Sequence, residues 1–233
     1  MRIFQKGFNF SQDGPGNRLV YHLSGCNMRC IWCSNPEGMD GKNGTEHSVE
    51  ELFSEAISCR PMFFGGGGVT FTGGEATLQT EELLKLLKLL KTEGINTCIE
   101  TNGTSPRLCE ISELVDYLIM DFKHYDGDAL KRYTGLDNEI IKRNFEELLK
   151  KRNQLHIRIP LINGINTDDP EAFAKYFSAH ASDGTVFEFL PYHEYGKDKW
   201  KTEYKVKDGF VSAETLKTYE DTFKIYNLKL IKT

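Results

Sequence analysis

The sequence has no long apolar run. Nothing in it approaches the roughly 20 consecutive apolar residues that cross a bilayer, and the opening Met1-Arg2-Ile3-Phe4-Gln5-Lys6 lacks the apolar core of a signal peptide. A cytoplasmic protein without a membrane partner is therefore expected. Nor is there an excess of positive charge: 29 Lys and Arg stand against 34 Asp and Glu, a net charge of −5. That balance supplies no field for a polyphosphate backbone, so no nucleic acid partner is expected. No sequence repeat and no low-complexity tract are present. Gly65–Gly68 is the longest glycine run, and because no Lys-Ser or Lys-Thr follows, it reads as a flexible turn rather than a phosphate cradle. What remains is 233 residues, 39% of them hydrophobic, which predicts a single domain spanning 1–233 with a sizeable core. Cysteines at 26, 30, 33, 59, 98 and 109 are read as thiols, since a cytosolic chain of this length needs no disulfide staples.

Along the chain, short strand-like runs alternate with amphipathic helices. The strand candidates are Leu19–Ser24, Val69–Thr72, Thr97–Thr101, Tyr117–Asp121, His156–Leu161 and Val186–Pro191. Helices are predicted over Ser48–Ser58, Thr80–Glu93, Glu139–Arg152, Pro170–Ala179 and Ser212–Tyr226. Ser48-Val49-Glu50-Glu51 has the form of a capping box, and Glu81 and Glu82 lie at the positive end of the second helix. In that helix Lys85, Lys88 and Lys91 form one stripe among leucines, the pattern of a helix packed on a sheet. Strands separated by such helices imply right-handed crossovers and a parallel sheet. Six units are too few to close an eight-fold barrel.

Polar residues recur at the carboxyl ends of these strands: Gly25 and Cys26, Gly73-Gly74-Glu75, Thr101-Asn102, Asp121 with Lys123, and His193. In parallel barrels that end is where active sites are assembled. The loop after the first strand carries Cys26-x3-Cys30-x2-Cys33, three thiols within eight residues. Thiolates are soft ligands suited to iron–sulfur clusters and to zinc. A four-iron cluster held by three cysteines keeps one iron open to a small molecule. Structural zinc is the competing reading and needs a fourth ligand such as His22 or His47. Cys59, Cys98 and Cys109 read as core or near-core thiols.

CxxxCxxC with Trp32 before the last cysteine resembles the signature of the radical S-adenosylmethionine (radical SAM) superfamily. The resemblance narrows through Asp13-Gly14-Pro15-Gly16, Cys26-Asn27-Met28-Arg29-Cys30-Ile31-Trp32-Cys33-Ser34-Asn35, Gly67-Gly68-Val69-Thr70-Phe71-Thr72-Gly73-Gly74-Glu75-Ala76, Glu100-Thr101-Asn102-Gly103, Met120-Asp121-Phe122-Lys123 and Leu190-Pro191-Tyr192-His193-Glu194-Tyr195-Gly196-Lys197. Together these are similar to the glycyl-radical-enzyme activating enzymes, in the same order along essentially the whole chain. The resemblance implies an α/β fold, a partial (β/α)6 barrel with a C-terminal helix and strand extension. It implies a cluster loop at 25–39 and one [4Fe–4S] cluster on Cys26, Cys30 and Cys33, whose open iron chelates S-adenosylmethionine. It further implies reductive cleavage of that cofactor to a 5′-deoxyadenosyl radical, which removes a Cα hydrogen from a glycine of a partner enzyme.

By the same resemblance, Gly73, Gly74 and Glu75 lie beside the methionyl amino group, Lys123 balances the methionyl carboxylate, and His193 approaches the adenosyl portion. Trp32 and Ser34 meet the adenine, and Cys33, Asp121 and Phe122 belong to the same cofactor site. Glu100, Thr101 and Asp121 correspond to a monovalent-cation site for Na⁺ or K⁺, with Glu100 where the family usually has Asp. Ser34 stands in place of a His, and Thr72 in place of a Ser. Asp13 and Arg158 are the candidates for gripping the substrate peptide. Asn35 to Gly68 contains only Cys59, so no ferredoxin-like insert and a single cluster are expected. The implied partners are a glycyl radical enzyme as substrate and flavodoxin or ferredoxin as electron donor, with the chain itself a monomer. Competing readings are a radical enzyme acting on a small molecule, like a 7-carboxy-7-deazaguanine synthase, and a zinc-stabilised binding module.

Overall fold

Helices form where capping and apolar periodicity agree. Ser48 accepts from the Glu51 N–H while the Glu51 carboxylate accepts from the Ser48 N–H, closing the expected capping box at the start of α1 (Val49–Ser58). In α2 (Thr80–Thr92), Leu83, Leu84, Leu86, Leu87 and Leu90 are buried while Lys85, Lys88 and Lys91 are exposed. Each buried leucine contributes about 1.5–3 kcal/mol, so the stripe commits this helix to the core.

The structure is a computed structural model and describes residues 1–232. Two compact units divide the chain: 1–27 with 35–119, and 28–34 with 120–233. The first contains β1 (Arg2–Phe10), β2 (Asn17–Leu23), β3 (Thr45–Glu46), α1, β4 (Gly68–Gly73), α2, β5 (Thr97–Thr101) and α3 (Leu108–Ser112). Its strands lie in the order β3-β1-β2-β4-β5. The pairs β2 with β4 and β4 with β5 are parallel. β6 (Tyr117–Asp121) begins in this unit and ends in the second, which continues with α4 (Gly127–Thr134), α5 (Glu139–Lys151), β7 (Leu155–Leu161), α6 (Pro170–His180), β8 (Thr185–Pro191), α7 (Ala213–Ile225) and β9 (Lys229–Leu230). β7, β8 and β9 pair parallel in that order. The result is the expected α/β class, a mixed fold whose largely parallel sheet does not close, with α7 and β9 as the C-terminal helix and strand.

The six predicted strands are present as β2 and β4 to β8. The sheet departs from all-parallel at its beginning, where β1 runs antiparallel to both β2 and β3. β1 escapes sequence reading because most of it is exposed, which removes the apolar alternation that marks a strand. Asp13-Gly14-Pro15-Gly16 lies in the turn joining β1 to β2, closed by the Ser11 N–H on the Gly16 carbonyl at 3.0 Å. Gly67 and Gly68 are not a flexible turn. A Cβ at either would lie 1.9 Å from the carbonyl oxygen of Asn17 or Asn96, so close backbone approach requires glycine there. Among the described residues no helix is long and apolar enough to cross a membrane.

Each unit packs an apolar sheet face under its helices. In the first, Tyr21 stacks on Phe71 at 5.9 Å and its hydroxyl donates to Glu55 of α1 at 2.9 Å. In the second, Phe122, Phe145, Phe173, Phe177, Phe187 and Phe223 are all fully buried. Alternate positions on β2, β4 and β5 put Arg18, Thr70, Thr72, Cys98 and Glu100 on the other face. There Arg18 donates to Thr70 at 2.7 Å, and Thr72 to Glu100 at 2.8 Å.

Candidate active site

In the first unit the cysteine loop leaves β2 through Gly25, whose φ of +97° is open to glycine and strained for other residues. Its N–H donates to the Gly38 carbonyl at 2.7 Å and the Cys26 N–H to the Met39 carbonyl at 3.1 Å. The Gly25 carbonyl accepts from the Glu75 N–H at 2.7 Å. A Cβ on Gly74 would stand 2.2 Å from that same carbonyl oxygen, so the Gly73-Gly74-Glu75 turn abuts the loop backbone directly. Gln79 Nε2 adds a bond to the Ser24 carbonyl at 3.0 Å.

Glu75 is buried and its carboxylate accepts four bonds. Oε1 takes the Thr77 N–H at 3.1 Å and the Thr77 and Thr101 hydroxyls at 2.5 and 2.8 Å; Oε2 takes the Asn102 N–H at 2.6 Å. The carboxylate thus joins the end of β4 to the end of β5. Asn102 carries the tie onward: its Nδ2 donates to Asn27 Oδ1 at 2.9 Å, and Asn27 Nδ2 donates to the Thr104 hydroxyl at 2.8 Å. Asn27 sits between the first two cysteines, so a buried polar network anchors the loop to two strand ends. The Thr101 hydroxyl points to Glu75 and the Glu100 carboxylate to Thr72, on opposite faces of β5 as strand alternation dictates. Asp13 accepts from Asn9 through its carboxylate, and from the Thr70 hydroxyl through its carbonyl at 2.7 Å.

In the second unit the loop continues against α4, with the Arg29 N–H on the Thr134 carbonyl at 2.7 Å and the Ile31 N–H on the Tyr133 carbonyl at 3.2 Å. Met28, Cys30 and Trp32 are buried, and the Cys33 N–H turns back to the Cys30 carbonyl at 3.2 Å. The far end is held by the segment after β8: the Trp200 indole N–H donates to the Cys33 carbonyl at 3.1 Å, and a Cβ on Gly196 would fall 2.4 Å from Ser34 Cα. The Lys123 ammonium, nearly buried, donates to Asp121 at 2.6 Å. The Phe122 N–H donates to the Arg158 carbonyl at 2.8 Å, which sets the end of β6 beside Arg158. Arg158 Nε donates to Glu188 Oε2 at 2.8 Å, and His156 Nε2 lies 3.0 Å from the same oxygen. The Phe122 ring belongs to the aromatic core, 5.3 Å from Tyr176 and 4.8 Å from Phe177, so it offers no ring face for a ligand. His193 stacks on Tyr195 at 4.2 Å, and burial holds its imidazole below its ordinary pKa, which favours the neutral form.

The donor set suits an iron–sulfur cluster: three cysteine thiols in one backbone-pinned loop. Sequence reasoning missed the contacts made by Asn27, Asn102, Trp200, His156 and Glu188. Asn27, Asn102 and Trp200 stand inside or beside family-like motifs, yet a motif does not reveal which atom a side chain bonds.

Residues 20–177 match the radical SAM superfamily. A pyruvate formate-lyase 1-activating enzyme from Escherichia coli is 34% identical over 230 residues, covering 94% of this chain and 93% of its own length. A pyruvate formate-lyase-activating enzyme from Clostridium pasteurianum is 36% identical over 210 residues, covering 84% and 85%. Among solved structures, a domain of a pyruvate-formate lyase-activating enzyme from Bacteroides vulgatus superposes with a TM-score of 0.61 at 26% identity. That superposition covers 71% of this chain and 98% of that one.

Proposed function

Because this chain belongs to the radical SAM superfamily, and within it to the pyruvate formate-lyase-activating enzymes, we propose a division of labour among its residues for installing a glycyl radical on a partner enzyme. The family implies a [4Fe–4S] cluster and S-adenosylmethionine, which when bound would supply one-electron reductive cleavage of the cofactor and hydrogen-atom abstraction. Cys26, Cys30 and Cys33 hold the cluster. The single observation that carries this reading is the pinned three-thiol loop, found in a chain matched over 94% of its length by an activase.

Backbone groups of Gly73 and Gly74 take the methionyl amino group, the absence of side chains allowing close approach. Glu75 adds negative charge nearby, but its oxygens are committed to four donors, so its chief work is to hold that turn in place. Lys123 pairs with the methionyl carboxylate, and Asp121 keeps the ammonium aimed. Neutral His193 meets the adenosyl group, and Trp32 and Ser34, which flank Cys33, present ring and backbone atoms to the adenine. Glu100, Thr101 and Asp121 are the candidates for a Na⁺ or K⁺ ion, the Thr101 hydroxyl being already engaged by Glu75. Asp13 and Arg158 contact the glycine-bearing segment, Arg158 being oriented by Glu188. A flavodoxin or ferredoxin supplies the electron.

Electron paramagnetic resonance tests the reading. Reduced protein incubated anaerobically with S-adenosylmethionine and a pyruvate formate-lyase should leave on the lyase a stable carbon-centred doublet, split by the remaining α-hydrogen. A colourless protein carrying one tightly bound zinc and giving no doublet would overturn it.

A further inference from the structure

Residues 197–207 read Lys-Asp-Lys-Trp-Lys-Thr-Glu-Tyr-Lys-Val-Lys, five lysines against two carboxylates in a chain of net charge −5. All five ammonium-bearing side chains are exposed; Lys197 is ion-paired with Glu194 at 3.0 Å, so the charge the segment presents rests chiefly on Lys201, Lys205 and Lys207. A lysine run is ordinarily just a solvated surface, but two features set this one apart. Its side chains are anchored: Val206 is buried, the Tyr192 hydroxyl donates to the Tyr204 hydroxyl at 2.9 Å, and Trp200 packs edge-on to Tyr204 at 5.6 Å. And Trp200, in the middle of the run, donates to the Cys33 carbonyl at 3.1 Å. The basic surface therefore begins one hydrogen bond away from a residue assigned as an iron ligand.

We propose that the 197–207 segment is the docking surface for an acidic one-electron carrier protein, which hands its electron to the cluster across Trp200 and Cys33. The inference rests on the cluster-ligand reading above. Each cleavage needs one electron from outside the chain, and the carrier must bring its redox centre close to the cluster without entering the substrate site. An exposed basic patch attached to a ligand's own backbone meets both needs. Complementary charge steers the encounter and rejects basic carriers. The balance is simple: the carrier is oxidised by one electron, the cluster is reduced by one, and no bond or proton moves.

The test uses anaerobic holoenzyme and oxidised flavodoxin, titrated calorimetrically at low salt and at about 0.3 M salt, where the Debye length shortens to about 6 Å and attraction between more widely spaced surface charges is screened. Wild type should bind and weaken as salt rises. A variant combining Lys201→Glu, Lys205→Glu and Lys207→Glu should bind on the order of tenfold more weakly at low salt and lose most of the salt dependence. The corresponding triple Gln variant should fall between, a graded response that a misfolded loop would not give. Dithionite-driven cleavage of S-adenosylmethionine, which requires no docking, should be equal in all three. If wild type itself fails that cleavage, the cluster reading is at fault rather than the docking surface. The docking proposal is overturned if the Glu variant binds flavodoxin as tightly as wild type. It is equally overturned if wild type binds neither flavodoxin nor ferredoxin, if basic cytochrome c binds as well as flavodoxin, or if affinity for pyruvate formate-lyase drops instead.

Discussion

Glu75 draws its importance from what it accepts rather than from its charge alone. Replacing it by alanine strands the buried N–H groups of Thr77 and Asn102 and the hydroxyl of Thr101. Each unsatisfied donor costs about 1–3 kcal/mol. Urea unfolding of Glu75→Ala should therefore show a loss of several kcal/mol, and a change within experimental error would refute the hub assignment. His124 makes a pH prediction. Its Nδ1 accepts from the Asp126 N–H at 3.0 Å and its Nε2 lies 3.2 Å from the Ile165 carbonyl, an arrangement that suits the neutral ring. Burial lowers its pKa. Above the unfolded value of about 6.5, both states carry a neutral ring and the pH has no effect. As the pH falls below that, the unfolded chain takes up the proton first, so stability declines until the folded value is passed. Denaturant midpoints at successive pH values should show this decline, and His124→Gln should flatten it.

Helix α2 shows how an element's two faces differ in consequence. Leu87 is fully buried, whereas Lys85 is exposed on the opposite stripe. Leu87→Ala should cost about 2–5 kcal/mol through lost transfer energy and the cavity left behind. Lys85→Ala should stay within about 0.5 kcal/mol. Comparable losses at both sites would mean that the lysine stripe is buried after all. Among the strands, β5 and β6 have the bounds that composition and flanking turns predict, Thr97–Thr101 and Tyr117–Asp121. The exposed β1 lacked a period to read. The five-residue α3 is too short to show one, and α4 opens on Gly127 and buries only Leu130 and Thr134.

For the whole molecule, the cysteine loop is the proposed seat of the chemistry while the two hydrophobic cores supply the fold, and the proposal lets these be separated. Cys30→Ala should abolish iron–sulfur assembly and cofactor cleavage together, measured by iron content and by release of 5′-deoxyadenosine. Far-UV circular dichroism should persist, because the leucines of α2 and the phenylalanine cluster around Phe177 are untouched. Full cleavage by that variant would remove Cys30 from the ligand set.

Local chemistry wrote much of this protein legibly into its chain. The alternation of strand and helix follows from hydrophobic periods of 2 and 3.6 residues, and the ligand spacing Cys26-x3-Cys30-x2-Cys33 needs no distant residue to be recognised. Which donors Glu75 accepts, why Gly74 has no room for a side chain, what holds Arg158, and that Trp200 reaches Cys33 across 167 positions could be decided only by folding. A hydrogen bond or a close approach is a property of two positions at once, and the chain's order does not say which distant pairs will meet.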